Sequence, residues 1–167
     1  MNRLHQLRTN DRLAEASPSR LALRQSKIHS LGCYATRDIR KGDFVAEYTG
    51  PRLTLKAAEA LYNNHHKTYL FGLSSGQEVI DGVGIAAFIN HSCDPNCETD
   101  EVRGRIVIYS IRNILAGEEI TYDYCLYDGE PDDQALCFCR SKTCRGSMYS
   151  EEELKRRARK PRRSQNS

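Results

Sequence analysis

Residues that can bind metals or cofactors crowd into one short stretch of this chain. The sequence NHSCDPNCE runs from Asn90 to Glu98. Its DPN triplet predicts a tight turn, because proline fixes φ and Asx side chains bond back to the backbone. Four residues outside this turn have side chains that can bind a metal or a cofactor: Asn90, His91, Cys93 and Cys97.

A second cluster of cysteines lies near the C-terminal end, where CFCRSKTC spans residues 137–144. Three thiolates at this spacing can bind one Zn²⁺, which prefers four ligands in a tetrahedron. The fourth ligand must come from elsewhere, and either Cys93 or Cys97 can supply it. A site with four protein ligands is closed, so such a zinc would be structural. The alternative is three free cysteines in a loop.

Basic residues accompany this cysteine cluster, and two further cysteines lie outside it. Three basic residues are interleaved with the CFCRSKTC cysteines and would offset the thiolate charge: Arg140, Lys142 and Arg145. Cys33 and Cys125 lie in strand-like sequence. Because buried free cysteine behaves as a small hydrophobe, we expect both in the core.

Two tyrosines follow each other at strand spacing in EEITYDY, residues 118–124. In a strand, side chains two residues apart point the same way. A strand over Ile120–Leu126 would therefore present Tyr122 and Tyr124 on one face. The alternative is an amphipathic strand that packs aromatic rings into the core. The pair becomes chemically relevant if this strand lies beside Asn90 and His91.

Size and composition indicate one folded domain. The 167 residues are 39% hydrophobic, enough for a single core. The longest apolar run, Gly84–Ile89, is too short to cross a membrane, and the N-terminus lacks the apolar region of a secretory signal. We therefore expect an intracellular protein. Its seven cysteines then favour thiols or metal ligands over disulfides.

The charge is unevenly distributed. Seven basic residues fall within Lys155–Arg163, so the remaining sequence is net acidic although the whole chain carries +3. Such a tail is a solvated end, an import-like signal or a weak nucleic-acid contact. The segment DGEPDD, Asp128–Asp133, predicts an exposed acidic loop.

Short apolar runs between glycine-containing turns predict a β-rich chain. Besides the tyrosine strand, the predicted strands are Phe44–Tyr48, Tyr69–Leu73, Val79–Ile80 and Ile106–Ile111. One helix is predicted over Thr54–Tyr62, capped by Thr54, with Leu55, Ala58 and Leu61–Tyr62 on one face. Residues 1–22 are polar and predict a mobile or weakly helical arm. The segments 37–43 and 112–118 share the pattern R-[DN]-I-x-x-G-[DE], which we interpret as a common hairpin turn used twice.

Five motifs, taken in order, resemble the SET-domain family of protein lysine methyltransferases. They are SKIHSLGCYA (26–35), YLFGL (69–73), EVIDG (78–82) followed by FINHSCDPNC (88–97), GEEITYDY (117–124) and CFCRSKTCRG (137–146). The resemblance covers about residues 23–149. It divides the chain into a polar arm (1–22), a SET domain (23–128), an acidic loop with a post-SET zinc segment (129–149) and a basic tail (150–167).

The resemblance implies a mostly β, α+β fold of small curved sheets. Its C-terminal strand is threaded through a loop as a pseudoknot, so that Asn90–Cys93 and Tyr122–Tyr124 share one site. The resemblance also implies S-adenosylmethionine as methyl donor and a structural zinc. The implied cofactor contacts are His29, Leu31, Gly32, Tyr69, Asn90, His91 and Phe138, with Phe138 as a lid. The implied zinc ligands are Cys93, Cys137, Cys139 and Cys144, with Cys97 packed in the core and the second choice for the fourth ligand.

The implied reaction is methyl transfer from the sulfonium to a neutral lysine amine. Tyr124 would orient the amine rather than act as a simple base, because an ordinary tyrosine has a pKa of about 10. Tyr122 would limit the product mainly to mono- or di-methyl-lysine. The implied substrate is a basic protein, a histone tail or a histone-like protein, bound near Thr54–Tyr62 and the DGEPDD loop.

The chain departs from the family pattern in its first motif and before FINH. Ser30-Leu31-Gly32 replaces the usual G-x-G, Ala87 stands where arginine is frequent, and the segment Asp81–Ala87 is short. These departures motivate one alternative, a catalytically inactive zinc-stabilised module that binds a basic partner. A second alternative is a nucleic-acid-binding protein that works through its tail.

The sequence also gives expectations for the state and location of the protein. We expect a monomer. It would lie in the cytoplasm if bacterial, or in a host cell if delivered there, and at the chromosome or nucleus if eukaryotic. Brevity alone favours a bacterial stand-alone protein.

Overall fold

The structure, a computed structural model, describes residues 20–62, 69–127, 129 and 132–159. Strands dominate this part of the chain, as the sequence predicted. The elements in chain order are β1 (Leu21–Gln25), β2 (Leu31–Ala35), β3 (Phe44–Tyr48), β4 (Arg52–Thr54), α1 (Leu55–Tyr62), β5 (Leu70–Gly72), β6 (Glu78–Asp81), a 3₁₀ turn (Ile85–Phe88), β7 (Asn90–His91), β8 (Cys97–Val102), β9 (Arg105–Ser110), β10 (Glu119–Tyr122) and α2 (Glu151–Arg159).

The strands form three small sheets. Their orders are β1-β2-β10-β7, β3-β9-β8 and β4-β6-β5. Buried side chains from the sheets meet in one core, which includes Ile89, Ile106, Ile108 and Ile120. Among the described residues, no helix is long and apolar enough to cross a bilayer.

Strand β10 lies between two strands that precede it by many residues. It pairs with β2 in antiparallel register, Ile120 opposite Cys33. It pairs with β7 in parallel register, Tyr122 opposite His91. This insertion is the arrangement that the predicted pseudoknot requires. It brings the tyrosine motif beside the NHSC motif.

The two R-[DN]-I-x-x-G-[DE] segments pair with each other. Ile39 and Ile114 exchange two backbone hydrogen bonds of 2.9 Å. Asp38 accepts from the N–H of Ala116, and Asn113 accepts from the N–H of Lys41, each at 2.9 Å. The segments are thus two halves of one symmetric clasp, and not merely a turn used twice.

The tyrosine strand is shorter than predicted. It ends at Tyr122, and Cys125 has a left-handed φ of 47°, which does not continue a strand. Leu126 consequently leaves the strand and pairs with Tyr149. Cys125 is exposed, so its predicted core position is wrong, whereas Cys33 is fully buried in β2.

The predicted helix is present, but its apolar face is not fully buried. The N–H of Ala57 donates to Thr54 Oγ1 at 3.2 Å, so the predicted cap is present. Ala58 is buried, whereas Leu55 and Leu61 are 50% and 54% exposed. Within the described part of the chain, the apolar residues of α1 therefore do not form a fully buried face.

Both termini carry structure that the sequence did not predict. Strand β1 begins at Leu21, inside the predicted arm; the rest of that arm, residues 1–19, lies outside the described residues. At the other end, α2 occupies part of the predicted basic tail. The guanidinium carbon of Arg157 lies 3.9 Å from the ring centre of Tyr149, and Arg157 also donates to the carbonyl oxygens of Gly129 and Asp133. Residues 160–167 and half of the acidic loop, residues 128, 130 and 131, lie outside the described part.

Candidate active site and zinc centre

Four cysteine sulfurs cluster where the NHSC turn meets the C-terminal segment. The Sγ atoms of Cys93, Cys137, Cys139 and Cys144 all lie within 4.8 Å of one another. The sulfurs of Cys93 and Cys137 are 3.7 Å apart. Zn–S bonds of about 2.3 Å place tetrahedral sulfurs about 3.8 Å apart, so the cluster has the size of a ZnS₄ site. Cys97 is fully buried in the core instead.

Backbone N–H groups surround the sulfurs. The N–H of Arg145 donates to Cys93 Sγ, that of Cys139 to Cys137 Sγ, and that of Gly146 to Cys144 Sγ, each at 3.4 Å. Such contacts favour thiolates. The guanidinium of Arg145 makes a bidentate pair with Asp123 at 2.7 and 2.8 Å. Arg145 therefore pairs with a carboxylate inside the tyrosine motif, and its charge also favours the thiolate of Cys93.

The cysteines of the cluster differ in acidity. Burial raises the pKa of Cys93 and of Cys137. Burial also opposes ionisation of Cys139. Hydrogen bonds to its sulfur, of which the one with Ser141 is the largest, outweigh burial and lower the pKa of Cys139 to about 5. A cation would bind the thiolate forms, so its binding is coupled to the release of protons from the others.

The two tyrosines of the last motif lie side by side. Their ring centres are 5.0 Å apart, although Tyr124 lies beyond the end of β10. The Tyr124 hydroxyl donates to the carbonyl oxygen of Ile89 at 2.8 Å. Burial raises the pKa of Tyr124 above its ordinary value. The pKa of Tyr122 is also raised, mainly by burial and to a smaller extent by the neighbouring Tyr124 and Tyr48. Both hydroxyls are therefore neutral near pH 7.

Further aromatic rings surround Tyr122. Phe71 lies 6.2 Å from Tyr122 and 5.2 Å from Tyr48, measured between ring centres. The Tyr48 hydroxyl donates to the carbonyl oxygen of Tyr69 at 2.6 Å, and the Tyr69 ring lies 5.4 Å from that of Phe88. Sequence reasoning did not select Tyr48 or Phe71 for the site. Phe71 is the central residue of the YLFGL motif, and this position was the one sequence feature that pointed to it.

His91 links the tyrosine motif to the cysteine cluster. Its buried ring accepts the backbone N–H of Tyr124 at Nδ1, 3.1 Å away, and its Nε2 lies 3.3 Å from Cys93 Sγ. Because Nδ1 accepts, Nε2 carries the proton in the neutral ring and points it at the sulfur. Burial lowers the pKa of His91 to about 4, so the ring is neutral near pH 7. A cofactor contact of His91 would consequently use its main chain.

Two of the predicted cofactor residues, His29 and Leu31, converge on the side chain of a third, Asn90. Its Nδ2 lies 3.0 Å from the Leu31 carbonyl oxygen and 3.4 Å from that of His29. Ser30, between them, has a left-handed φ of 43°. Serine thus adopts the conformation that glycine accepts most readily.

Glu119 is a site residue that sequence reasoning missed. Its Oε1 accepts from Asn90 Nδ2 at 2.8 Å and from Ser26 Oγ at 2.7 Å, and its Oε2 accepts from the Tyr34 hydroxyl at 3.0 Å. A Cβ built on Gly32 would lie 2.2 Å from Glu119 Oε1, so a larger residue there would displace this carboxylate. The GEEITYDY motif contained Glu119, but its periodicity did not indicate what the side chain contacts.

Phe138 stands between two cysteines of the cluster. It is 58% exposed. It makes no ring contact with any other aromatic side chain in the part of the chain that the structure describes. Its neighbours Cys137 and Cys139 thus belong to the cluster, while its own ring faces solvent.

Comparison with known proteins identifies the family. The SET-domain family profile matches residues 30–125, more than half of the chain. The chain belongs to the SET-domain family. The matched region holds all the predicted tyrosine and NHSC residues, and the cysteine segment at 137–144 lies beyond its C-terminal end.

Relatives with described activities share much of the sequence. The chain is 40% identical over 137 residues to the histone-lysine N-methyltransferase, H3 lysine-4 specific, of Saccharomyces cerevisiae, covering 74% of this chain and 13% of that protein. It is 38% identical over 146 residues to the protein of the same description in Schizosaccharomyces pombe, covering 80% of this chain and 16% of that protein. The chain thus spans less than a fifth of the length of these relatives.

A solved structure also matches. It is ctPRC2 in an autoinhibited conformation bound to S-adenosylmethionine, with a TM-score of 0.58 and 28% sequence identity. The match covers 65% of this chain and 15% of that chain. It supports the SET fold of small sheets for the described residues.

Proposed function

We propose that this chain is an S-adenosylmethionine-dependent protein-lysine N-methyltransferase. The observation that carries the proposal is the pairing of β10 with β7, which places Tyr122 opposite His91 and Tyr124 beside it. The predicted cofactor residues, the buried Tyr122 and the partly buried Tyr124 therefore share one site. The histone-lysine methyltransferases among its relatives and the S-adenosylmethionine-bound structural neighbour support the same reaction.

The cofactor would lie against the loop that joins β1 and β2. Asn90, His29 and Leu31 meet there, and Gly32 leaves room for close packing of the backbone. Tyr69, the main chain of His91 and the exposed ring of Phe138 would complete the pocket. S-Adenosylmethionine supplies an electrophilic methyl group on a sulfonium when bound.

The cysteine cluster would hold a structural Zn²⁺. Its donors are all thiols and all come from the protein, which leaves no open position for chemistry. The metal would join Cys93, next to the cofactor residues, to the segment that carries Phe138. Zinc would thereby complete the cofactor pocket without taking part in the transfer.

The residues of the channel would prepare the lysine for attack. Aromatic burial lowers the pKa of an entering lysine amine, because the charged form loses its hydration. Tyr124 would orient the amine, and Tyr122 would crowd the channel and limit the product mainly to mono- or di-methyl-lysine. Holding the reacting atoms in line supplies much of the rate.

The surface beside β5 would bind the substrate chain. Strand β5 is the outer strand of its sheet, and alternate residues, Leu70 and Gly72, direct their backbone groups away from β6. A groove of about 280 Å³ runs beside it, lined in part by Glu101 and Tyr127. A carboxylate and an aromatic ring suit a basic peptide, so this groove extends the predicted peptide site beyond α1 and the acidic loop.

We propose histone H3 or a similar basic protein as the substrate, because the relatives are specific for lysine-4 of that histone. The yeast origin of those relatives favours the chromosomal location over the bacterial one expected from brevity. The enzyme would act as a monomer. The basic residues of α2 and the tail would add a weak contact to nucleic acid.

A mass-spectrometric transfer assay tests the proposal. Zinc-loaded protein would be mixed with S-adenosylmethionine and a panel of core histones, basic bacterial chromosomal proteins and the protein itself. We expect the mass of one or two methyl groups on a histone lysine. An Asn90→Ala variant serves as the cofactor-site control. Absence of both methyl transfer and cofactor binding in the parent would contradict the proposal and favour the inactive module.

A further inference from the structure

Glu119 connects the cofactor loop to the strand that leads to the tyrosines. It lies at the start of β10, opposite Tyr34 of β2. Through Oε1 it binds Ser26, whose own hydroxyl oxygen accepts the N–H of Ile28 at 2.9 Å and of His29 at 3.4 Å. Glu119 therefore holds the turn that carries His29, Ser30 and Leu31.

The same carboxylate fixes which way the Asn90 amide faces. All three polar neighbours of Asn90 Nδ2 are acceptors: Glu119 Oε1, the Leu31 carbonyl and the His29 carbonyl. An amide rotated by half a turn would place Oδ1 against these oxygens, where no proton lies between them. The three acceptor oxygens thus enforce one orientation, and they direct Oδ1 away from the network.

We propose that Glu119 is a positioning residue for the cofactor, acting through Asn90 and the Ser26–Leu31 turn. The inference rests on the proposed function, because it assigns Asn90 to the S-adenosylmethionine pocket. With Oδ1 held away from Glu119, Asn90 presents an acceptor to the donor groups of the cofactor. Glu119 itself touches neither the cofactor nor the reacting atoms.

Glutamine at this position separates hydrogen bonding from charge. In Glu119→Gln, the amide oxygen can still accept from Asn90 and Ser26. The amide nitrogen can donate to the Tyr34 hydroxyl, whose proton then goes to the Gln25 carbonyl oxygen, 3.2 Å away. Glu119→Ala and Glu119→Asp lose the contact with Asn90, because alanine has no acceptor and aspartate is one methylene shorter. Tyr34→Phe is the matched control, since it removes a partner of Oε2 and leaves Asn90 bound.

The test is the dissociation constant of S-adenosylmethionine, measured by calorimetry on the zinc-loaded full chain. Loss of one charge-assisted hydrogen bond should weaken binding roughly 10- to 100-fold in the alanine and aspartate variants. Glu119→Gln and Tyr34→Phe should stay within about threefold of the parent. The second readout, made without cofactor, is the NMR signal of the Asn90 side-chain amide. It should move in the alanine and aspartate variants and stay near its parent position in Tyr34→Phe.

The outcomes are distinguishable. Weak binding by the alanine and aspartate variants with retention by glutamine would support the inference. If alanine does not fold, the aspartate variant gives the same comparison. Parent-like binding by the aspartate variant, or equal weakening by glutamine, would overturn it. A parent protein that binds no S-adenosylmethionine would overturn the proposed function as well.

Discussion

The Tyr124 hydroxyl donates its proton to the Ile89 carbonyl oxygen over 2.8 Å. A hydroxyl has one proton to give and two lone pairs, so this bond leaves Tyr124 as an acceptor toward the channel. A lysine amine that donates to Tyr124 would have its own lone pair turned elsewhere, free to attack. The bond therefore favours an orienting role over a base.

The pH dependence of the rate should follow from this assignment. Burial raises the pKa of Tyr124, so the neutral form persists to higher pH than in an ordinary tyrosine. At pH values below about 10, Tyr124 therefore stays neutral and does not reduce the rate. Deprotonation of the substrate lysine raises the rate over the same range. We expect initial rates at saturating cofactor to climb from about pH 7 to about pH 9.5. A falling limb in that interval that vanishes in Tyr124→Phe would contradict the assignment.

The Tyr122 hydroxyl should set the number of methyl groups. Its ring is buried between Tyr124 and Phe71, so under the proposed function the hydroxyl would occupy space that a methylated amine needs. Tyr122→Phe removes that atom and should shift the product toward di- and tri-methyl-lysine. Intact-mass analysis of the product at long reaction times measures the shift. The same product distribution in parent and variant would remove Tyr122 from this role.

Zinc content should depend on Cys93 and not on Cys125. Cys93→Ser removes one of four thiolates, so the purified variant should hold much less than one zinc per chain by elemental analysis. It should also lose S-adenosylmethionine binding, because the segment that carries Phe138 is released. Cys125→Ser, at an exposed cysteine outside the cluster, is the control and should keep the metal. Full zinc content in Cys93→Ser would show that the cluster is not the metal site.

Ser30 should be a position where glycine stabilises the protein. Its φ of 43° strains a residue that carries a Cβ. Ser30→Gly removes the backbone strain but increases the conformational entropy of the unfolded chain. Because the strain is the larger effect, the free energy of unfolding should rise by about 0.5–1 kcal/mol. Gly42→Ala makes the opposite change at φ 85°, where a Cβ would meet no other atom within 4 Å. Denaturant unfolding should show opposite signs for the two variants; the same sign would refute the strain argument.

Local patterns predicted the parts of the site that depend on spacing. The C-x-C-x4-C run selected three of the clustered cysteines, and the period of two drew attention to Tyr122 and Tyr124. The parts that depend on long-range pairing could not be obtained this way. The contacts of Glu119 require β10 to lie against both β2 and β7, and the clasp requires Ile39 to meet Ile114.

Local patterns also misplaced some residues. The strand-like context of Cys125 suggested burial, but the backbone turns left-handed there and the strand ends at Tyr122. The apolar spacing of α1 placed Leu55, Ala58 and Leu61–Tyr62 on one face, but it did not indicate that only Ala58 among them is buried. The composition of Lys155–Arg163 indicated a solvated tail. This composition did not indicate helix α2, in which buried Glu153 forms ion pairs with Arg156 and Arg157.

The most direct test of the central claim is methyl transfer by the parent and by Tyr124→Phe, measured side by side. The substrates would be histone H3 and the same histone with lysine-4 replaced by arginine. We expect transfer to the unmodified histone, with a turnover rate roughly 100-fold lower in the variant. Cofactor affinity should stay within about threefold, because one distal hydroxyl is lost. Equal turnover by parent and variant would contradict the catalytic site described, and equal transfer to both histones would show that lysine-4 is not the acceptor.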